Sequence, residues 1–355
     1  MLVKRLKSVA LVASAAVIAV TCFAIPNNAF AQGSAALSIV PRKNYTIEAG
    51  KTINDTLTIR NQDREQALNL TLRVVDFSYT DDSGVPKLMM DEDAPQTTWS
   101  LKSFLDIPQT VTIEPNSSQT IDMSLSVPEG HGAGGYYSAI VYSSAGADGG
   151  NVGLSASGVT LVFANIPGEV KENLELKKLG AYRDANTPTG GEYAYFHSNM
   201  PLRLAYTLKN EGNVPESPVG SITLKPLIGE EITIQDINPT SSLALIGQER
   251  TFVTCIKLKG QDSESTSRAE AASCVDPGLW PGYYKVSMTA YYGQNGNRTQ
   301  DLVGTGGFWY LPWWFILIVT LVLAFVGYHV WRIVRYIRQK RGGVQLKKKT
   351  SLKKK

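Results

Sequence analysis

The sequence predicts an all-β protein, two tandem immunoglobulin-like β-sandwich domains followed by one transmembrane helix. Three observations carry this. From residue 36 to 305, apolar and polar residues alternate in short runs broken by Gly, Pro, Asn and Asp, the pattern of strands that bury one face. The landmarks of the first half recur in the second at nearly constant spacing. Residues 308–331 carry no Asp, Glu, Lys or Arg and lead into a tail whose charges are all basic.

Lys4, Arg5 and Lys7 precede an apolar run at 9–24, and Ala29-Phe30-Ala31 places small residues where a signal peptidase reads, so 1–31 is expected to be a signal peptide cut before Gln32. Lipid attachment at Cys22 is the competing reading, but Val20-Thr21 lacks the small residue wanted just before the cysteine.

The first sandwich is expected over 36–166, with strands at 36–40, 52–60, 68–77, 109–114, 119–127, 136–143 and 159–164. Asp81-Asp82-Ser83-Gly84 reads as a turn, with glycine free to take positive φ. Ile166-Pro167-Gly168 ends strand pairing and marks the joint.

The second sandwich is expected over 168–305. Leu57-Thr58-Ile59-Arg60-Asn61 is echoed by Tyr206-Thr207-Leu208-Lys209-Asn210, and Gly135-Tyr136-Tyr137 by Gly282-Tyr283-Tyr284, at offsets of 149 and 147 residues. In each half a turn delivers a tyrosine to the head of a late strand, as a tyrosine corner does, and such a residue is a structural peg. The hydrophilic, glycine-rich stretch 293–307 leaves room for a last strand at 299–304.

The span 308–331 would extend about 36 Å as a helix, enough to cross a hydrocarbon core with some tilt. Trp309, Tyr310, Trp313 and Trp314 at one end, and Tyr328 and Trp331 at the other, are the expected membrane-interface anchors. The tail 332–355 begins with Arg332, Arg335, Arg338, Lys340 and Arg341 and continues with six lysines and no acid. Such a cluster holds the carboxyl terminus in the cytoplasm, favours anionic lipid, and leaves the preceding chain outside the cell membrane. As a segment with no folded module of its own, the tail is expected to be a disordered topogenic signal.

Of 35 Lys+Arg, three lie in the signal and eleven in the tail, leaving 21 against 31 Asp+Glu, a net of −10 for the exported part. An acidic surface has no electrostatic attraction for nucleic acid, so partners are sought among cell wall and envelope or surface proteins.

Only His131 and His197 lie outside the apolar span, and neither sits beside a nucleophile in a strand-turn-helix elbow, so neither an enzyme nor a small-molecule substrate is expected. No cofactor or metal site is read from the sequence. Asp81, Asp82, Asp91, Glu92 and Asp93 form one acidic cluster, either a calcium loop or a solvated hairpin; their spacing matches no calcium loop. Cys255 and Cys274 form either a disulfide closing a polar loop or two separately buried thiols. Trp280, in Pro277-Gly278-Leu279-Trp280-Pro281, either stacks on a sugar or covers the core beneath a turn.

Thr112-Ile113-Glu114-Pro115-Asn116-Ser117-Ser118-Gln119-Thr120, Ser126-Val127-Pro128-Glu129 and Gly134-Gly135-Tyr136 resemble the first extracellular domain of the WxL-interacting surface proteins of Gram-positive bacteria. Glu48-Ala49-Gly50-Lys51-Thr52, Arg60-Asn61-Gln62 and Asp82-Ser83-Gly84-Val85 fall in that family's order, and Asn210-Glu211-Gly212-Asn213-Val214-Pro215 is similar to a run recurring in bacterial anchored sandwiches. Where that family has an aliphatic run before the paired glycines, this chain has Gly130-His131-Gly132-Ala133. The resemblance implies a bacterial surface protein with a peptidoglycan-binding sandwich. The expected function is therefore non-catalytic attachment to cell wall or surface protein. The alternative is a structural or scaffold subunit of an envelope assembly such as a pilus, secretion or transport machine.

Overall fold

The computed structural model describes residues 37–91, 96–144, 157–187, 190–258, 274–293 and 299–351. The expected signal peptide, Glu92 and Asp93 lie outside the described residues.

The first sandwich contains β1 (Leu37–Ser38), β2 (Arg42–Thr46), β3 (Thr52–Asn61), β4 (Leu68–Val75), β5 (Phe77–Tyr79), β6 (Pro86–Leu88), β7 (Leu105–Asp106), β8 (Thr110–Ile113), β9 (Ser118–Ser126), β10 (Gly134–Ser144) and β11 (Ser157–Ile166). One sheet has the order β1-β3-β9-β7, the facing one β2-β11-β10-β4-β8, and β5 pairs with β6 as a small hairpin. The second contains β12 (Leu174–Thr187), β13 (Gly190–Tyr193), β14 (Phe196–His197), β15 (Arg203–Asn210), β16 (Val219–Pro226), β17 (Ile232–Ile234), β18 (Glu249–Cys255), β19 (Gly282–Tyr292) and β20 (Gln300–Tyr310). Its sheets run β13-β12-β15-β18 and β14-β20-β19-β16-β17. The chain is thus all-β, two immunoglobulin-like sandwiches in tandem, and ends in one long helix.

The repeat is topological. In each sandwich a short edge strand runs parallel to the last strand, β2 to β11 and β14 to β20, while the other pairings are antiparallel. Asn61 and Asn210 are both fully buried at the ends of β3 and β15 and do the same work. Asn61 donates to the carbonyls of Gln66, Ile113 and Glu114 and accepts from Asp63 N–H. Asn210 donates to those of Val214 and Ala244 and accepts from Gly212 N–H. The side-chain amide satisfies backbone groups that the end of a strand would leave unpaired.

The tyrosine echo needs a shift of one residue. Tyr136 donates to Gly132 O at 3.0 Å and Tyr284 to Trp280 O at 2.8 Å, each four residues back. Gly134 and Gly282, not Gly135 and Gly282, are the matching positions, with φ of 149° and 153°. β2, β6 and β7 have no counterpart in the sequence reading, and the strand expected over 68–77 is broken at Asp76. That carboxylate turns inward to accept from Ser138 Oγ and from the Thr97 N–H and hydroxyl.

The start of the apolar helix is corrected. β20 continues to Tyr310, with Phe308 and Tyr310 in the second core and Trp309 packed beside the Tyr283 ring. Trp309 and Tyr310 are therefore strand residues, not interface anchors on the helix. The glycines of the 293–307 stretch are what bring β20 against β12: a Cβ on Gly306 would collide with the Leu179 carbonyl. Helix α1 spans Trp313–Ser351, and its segment Trp313–Gln339 is long and apolar enough to cross a membrane. The uncharged part, 313–331, still measures about 28 Å. The expected disordered tail is helical as far as Ser351.

Candidate binding surfaces at the domain junction and beyond

The outer face of the first sandwich's β10 sheet is covered rather than solvated. Val75, Phe77, Tyr137, Ala139, Val141 and Phe163 pack there with Leu245 of the second sandwich in one apolar cluster. The β5–β6 hairpin seals its edge. Tyr79 donates its hydroxyl to Leu243 O and its N–H to Gln248 Oε1 at 2.7 Å. Arg250 lies over the Tyr79 and Phe252 rings and donates to the Tyr79 hydroxyl at 2.8 Å.

The turn at Asp81–Gly84 is part of this seam. Asp82 accepts through its carboxylate from Thr251 Oγ1 at 2.6 Å and through its carbonyl from Thr251 N–H. Thr251 is hydrogen-bonded to Thr207, and Thr207 to Tyr193, so a polar chain runs from the turn across the outer face of the β13-β12-β15-β18 sheet. Gly84 has φ of 79°, and a Cβ there would strike the Arg250 guanidinium. Asp81 caps Ser83 N–H while Asp82 faces the other sandwich. Among the described residues no cluster of three metal-ligating side chains forms.

Two motifs that were far apart in the sequence meet here. Gly135 N–H donates to Asn213 O at 2.9 Å, and a side chain on Gly135 would collide with Pro215. The paired glycines let the second sandwich's Asn213-Val214-Pro215 loop approach the backbone of β10.

Beside this contact lies a cleft of about 300 Å³ lined by Arg42, Tyr136, Phe163 and Asn165 from the first sandwich and Pro215, Glu216 and Gly293 from the second. Arg42 lies over the Phe163 ring and donates to Ser241 O at 3.2 Å. Glu216 is 1% exposed; its Oε2 accepts from Gly293 N–H at 3.1 Å and its Oε1 has no partner among the described residues. Burial, with help from the charge of Glu172, pushes its carboxyl up to about 8. At neutral pH it is a hydrogen-bond donor as well as an acceptor.

A second surface lies on the outer face of the first sandwich's four-stranded sheet. Thr52 stands opposite Ser126, Asn54 opposite Ser124, Thr56 opposite Asp122 and Thr58 opposite Thr120. Period-two alternation puts Leu57 and Ile59 in the core and these small polar side chains outward. Next to them a hollow of about 620 Å³ is lined by Asn54, Asp55, Asp106, Pro108 and Asp122. Hydrogen bonds from Lys43, Tyr45 and Thr56 N–H hold the Asp55 carboxyl down at about 2, so it stays charged.

The histidines do packing work. His131 sits against the Phe104 and Tyr136 rings. His197 packs against Phe308, with Nε2 at 2.9 Å from Ala194 O, and burial lowers its pKa. Cys255 and Cys274 are joined as a disulfide at the end of the second sandwich nearest α1. Trp280 does not cover the core: Leu279 fills that place, and the indole is 75% exposed. Trp313, Trp314, Tyr328 and Trp331 project from α1, and Arg335 lies over the Trp331 ring at 5.3 Å. Arg332 and Arg338 are exposed on the same helix, which also contains Lys340 and Arg341. Sequence reasoning missed the seam and Glu216; the run Tyr136-Tyr137-Ser138-Ala139-Ile140-Val141-Tyr142, interrupted only by Ser138, was the available signal for a strand covered on both faces.

No family model and no curated protein matches this sequence. Similar solved structures include the class 5 fimbriae chaperone CfaA, at 11% identity and a TM-score of 0.36 over 78% of this chain and 99% of that one. The Pseudomonas aeruginosa CupB2 chaperone is similar at 8% identity and 0.30, over 75% and 97%. The Salmonella enterica SafA pilin in complex with the SafB chaperone is similar at 9% and 0.32, over 76% and 96%. Superpositions this loose, at identities this low, carry nothing about binding or partners.

Proposed function

We propose that the chain is a single-pass bacterial surface protein, facing outward, whose docked sandwiches bind without catalysing, and that the first sandwich meets cell wall or another surface protein. The observation that carries this reading is the flat ladder of hydroxyl, amide and carboxylate side chains on β3 and β9, with the hollow beside it. Such a face suits hydrogen bonding to the hydroxyls and amides of peptidoglycan. The acidic balance of the exported part, the basic end of α1 and the resemblance to WxL-interacting surface proteins support the same assignment. In this reading α1 crosses the bilayer, with Trp313 and Trp314 at the outer interface, Tyr328 and Trp331 at the inner one, and the cations inside.

Contacts to the first sandwich come from the end of β19 at Gly293 and the start of β18, whereas α1 leaves beside Gly282 at the other end of β19. The first sandwich is thereby held about 33 Å farther from the helix. Retention of the detergent-extracted protein on purified peptidoglycan, compared with a denatured control and with Thr56→Arg and Asp122→Arg variants, tests the assignment. Loss of retention in the variants supports it, and no retention of the parent protein refutes it.

The second reading, a scaffold subunit of an envelope assembly, is favoured by the seam, which packs the two sandwiches together and leaves a groove with a Glu216 oxygen that has no partner among the described residues. Retention on whole envelopes but not on peptidoglycan would select it.

A further inference from the structure

The lower end of the second sandwich, where α1 departs, exposes several large apolar side chains. Four segments converge there. β19 begins at Gly282 opposite Tyr310, the last residue of β20. The end of β16, Pro226, pairs with Tyr284, and the turn that follows starts with Leu227, whose N–H donates to Tyr283 O at 3.2 Å. Phe196 pairs with Trp309, and His197 with Tyr310.

Around this rim Ile228 is 88% exposed, Trp280 75%, Leu227 71%, Phe196 59% and Tyr195 53%. These side chains are held outward. The Tyr284 hydroxyl fixes the Trp280 carbonyl from inside, and the Phe196 backbone is paired into the sheet. Large apolar groups gathered at one end of a sandwich, with the opposite end docked on its neighbour, mark a surface that something covers.

Chain continuity says what covers it. Only Leu311 and Pro312 separate β20 from α1. Leu311 N–H donates to His197 O at 2.8 Å, and Pro312 is buried. Two residues reach at most about 7 Å even when extended, and the headgroup layer on one side of a bilayer is itself about 5–8 Å deep. A tether no longer than that layer cannot hold the rim clear of it.

We propose that the rim of Leu227, Ile228, Trp280, Tyr195 and Phe196 is seated in the headgroup layer of the bilayer crossed by α1, making the second sandwich a membrane-embedded foot. The proposal rests on the reading of α1 as a membrane span. Charge does not drive the seating: Lys225 at the rim is already paired with Glu231, and Asp276 lies in the Trp280 loop. The contact is that of amphipathic and aliphatic side chains at an interface.

The test uses the full chain, reconstituted in phosphatidylcholine–phosphatidylglycerol vesicles, with single cysteines introduced as Ile228→Cys, Trp280→Cys, Leu321→Cys or Thr58→Cys and labelled without reduction with an environment-sensitive fluorophore. Quenching by lipids carrying a nitroxide near the headgroup or, in a parallel set, at mid-chain, and by aqueous iodide, is read for each. The expected result is at least a twofold stronger lipid quenching at positions 228 and 280 than at 58, with weakened iodide quenching. Position 321 should be quenched by lipid and shielded from iodide. Lipid quenching at 321 but not at 228 and 280 overturns the proposal while leaving the membrane span standing, and its absence at all three overturns both. Shielding of 228 and 280 from lipid and iodide alike overturns it in favour of a protein cover.

Discussion

Replacing Glu216 with glutamine is expected to stabilise the protein at neutral pH and to flatten the pH dependence of its stability. In the unfolded chain the carboxyl ionises near the ordinary value of about 4.3. In the folded protein, burial keeps it protonated up to about 8. Between those values the native state holds a proton that the unfolded state has released, so stability falls as pH rises, by up to about 1.4 kcal/mol per unit. Below the lower value both states are protonated and the effect vanishes. Glutamine keeps the shape, does not titrate and leaves the Gly293 N–H its acceptor. The two proteins should match near pH 4.5 and differ by about 3 kcal/mol at pH 7, several degrees in Tm for a chain of this size. Urea unfolding of the detergent-solubilised protein, followed by intrinsic fluorescence from pH 4.5 to 7.5, measures the gap. Parallel curves across that range, or a less stable variant at pH 7, would show that Glu216 is not held neutral and that the cleft is wet.

Gly135→Ala should destabilise by about 1–3 kcal/mol through overpacking against Pro215, and should raise protease cleavage at the joint after Ile166 before either sandwich unfolds. Asn61→Ala and Asn210→Ala should each cost about 2–3 kcal/mol in urea unfolding, because both leave buried carbonyls unpaired. Reduction of the Cys255–Cys274 disulfide should lower stability by about 3 kcal/mol, measured with and without dithiothreitol, with no effect on wall retention.

The strand pattern was legible because one buried face imposes period two, as in β3, where Leu57 and Ile59 alternate with Thr56 and Thr58. The same rule hid the seam: β10 is covered on both faces, and Tyr137 and Ala139 point at the second sandwich rather than at solvent. β2 was missed because Arg42-Lys43-Asn44 resembles a loop, and only its parallel partner β11 makes it a strand. The start of the apolar helix was misplaced because an aromatic run serves equally well as a membrane girdle or a sandwich core, and Phe308 and Tyr310 proved to be the latter. Asp82 read as a solvated turn residue, since nothing local to it announces Thr251, which lies 169 residues away.

The most direct test of an outward-facing body on an inward-anchored helix is labelling of intact cells with a membrane-impermeant maleimide, using Thr58→Cys on the polar ladder and Ser351→Cys at the end of α1. Position 58 should label without permeabilisation and position 351 only after it. The reverse pattern would place the sandwiches in the cytoplasm and contradict the account.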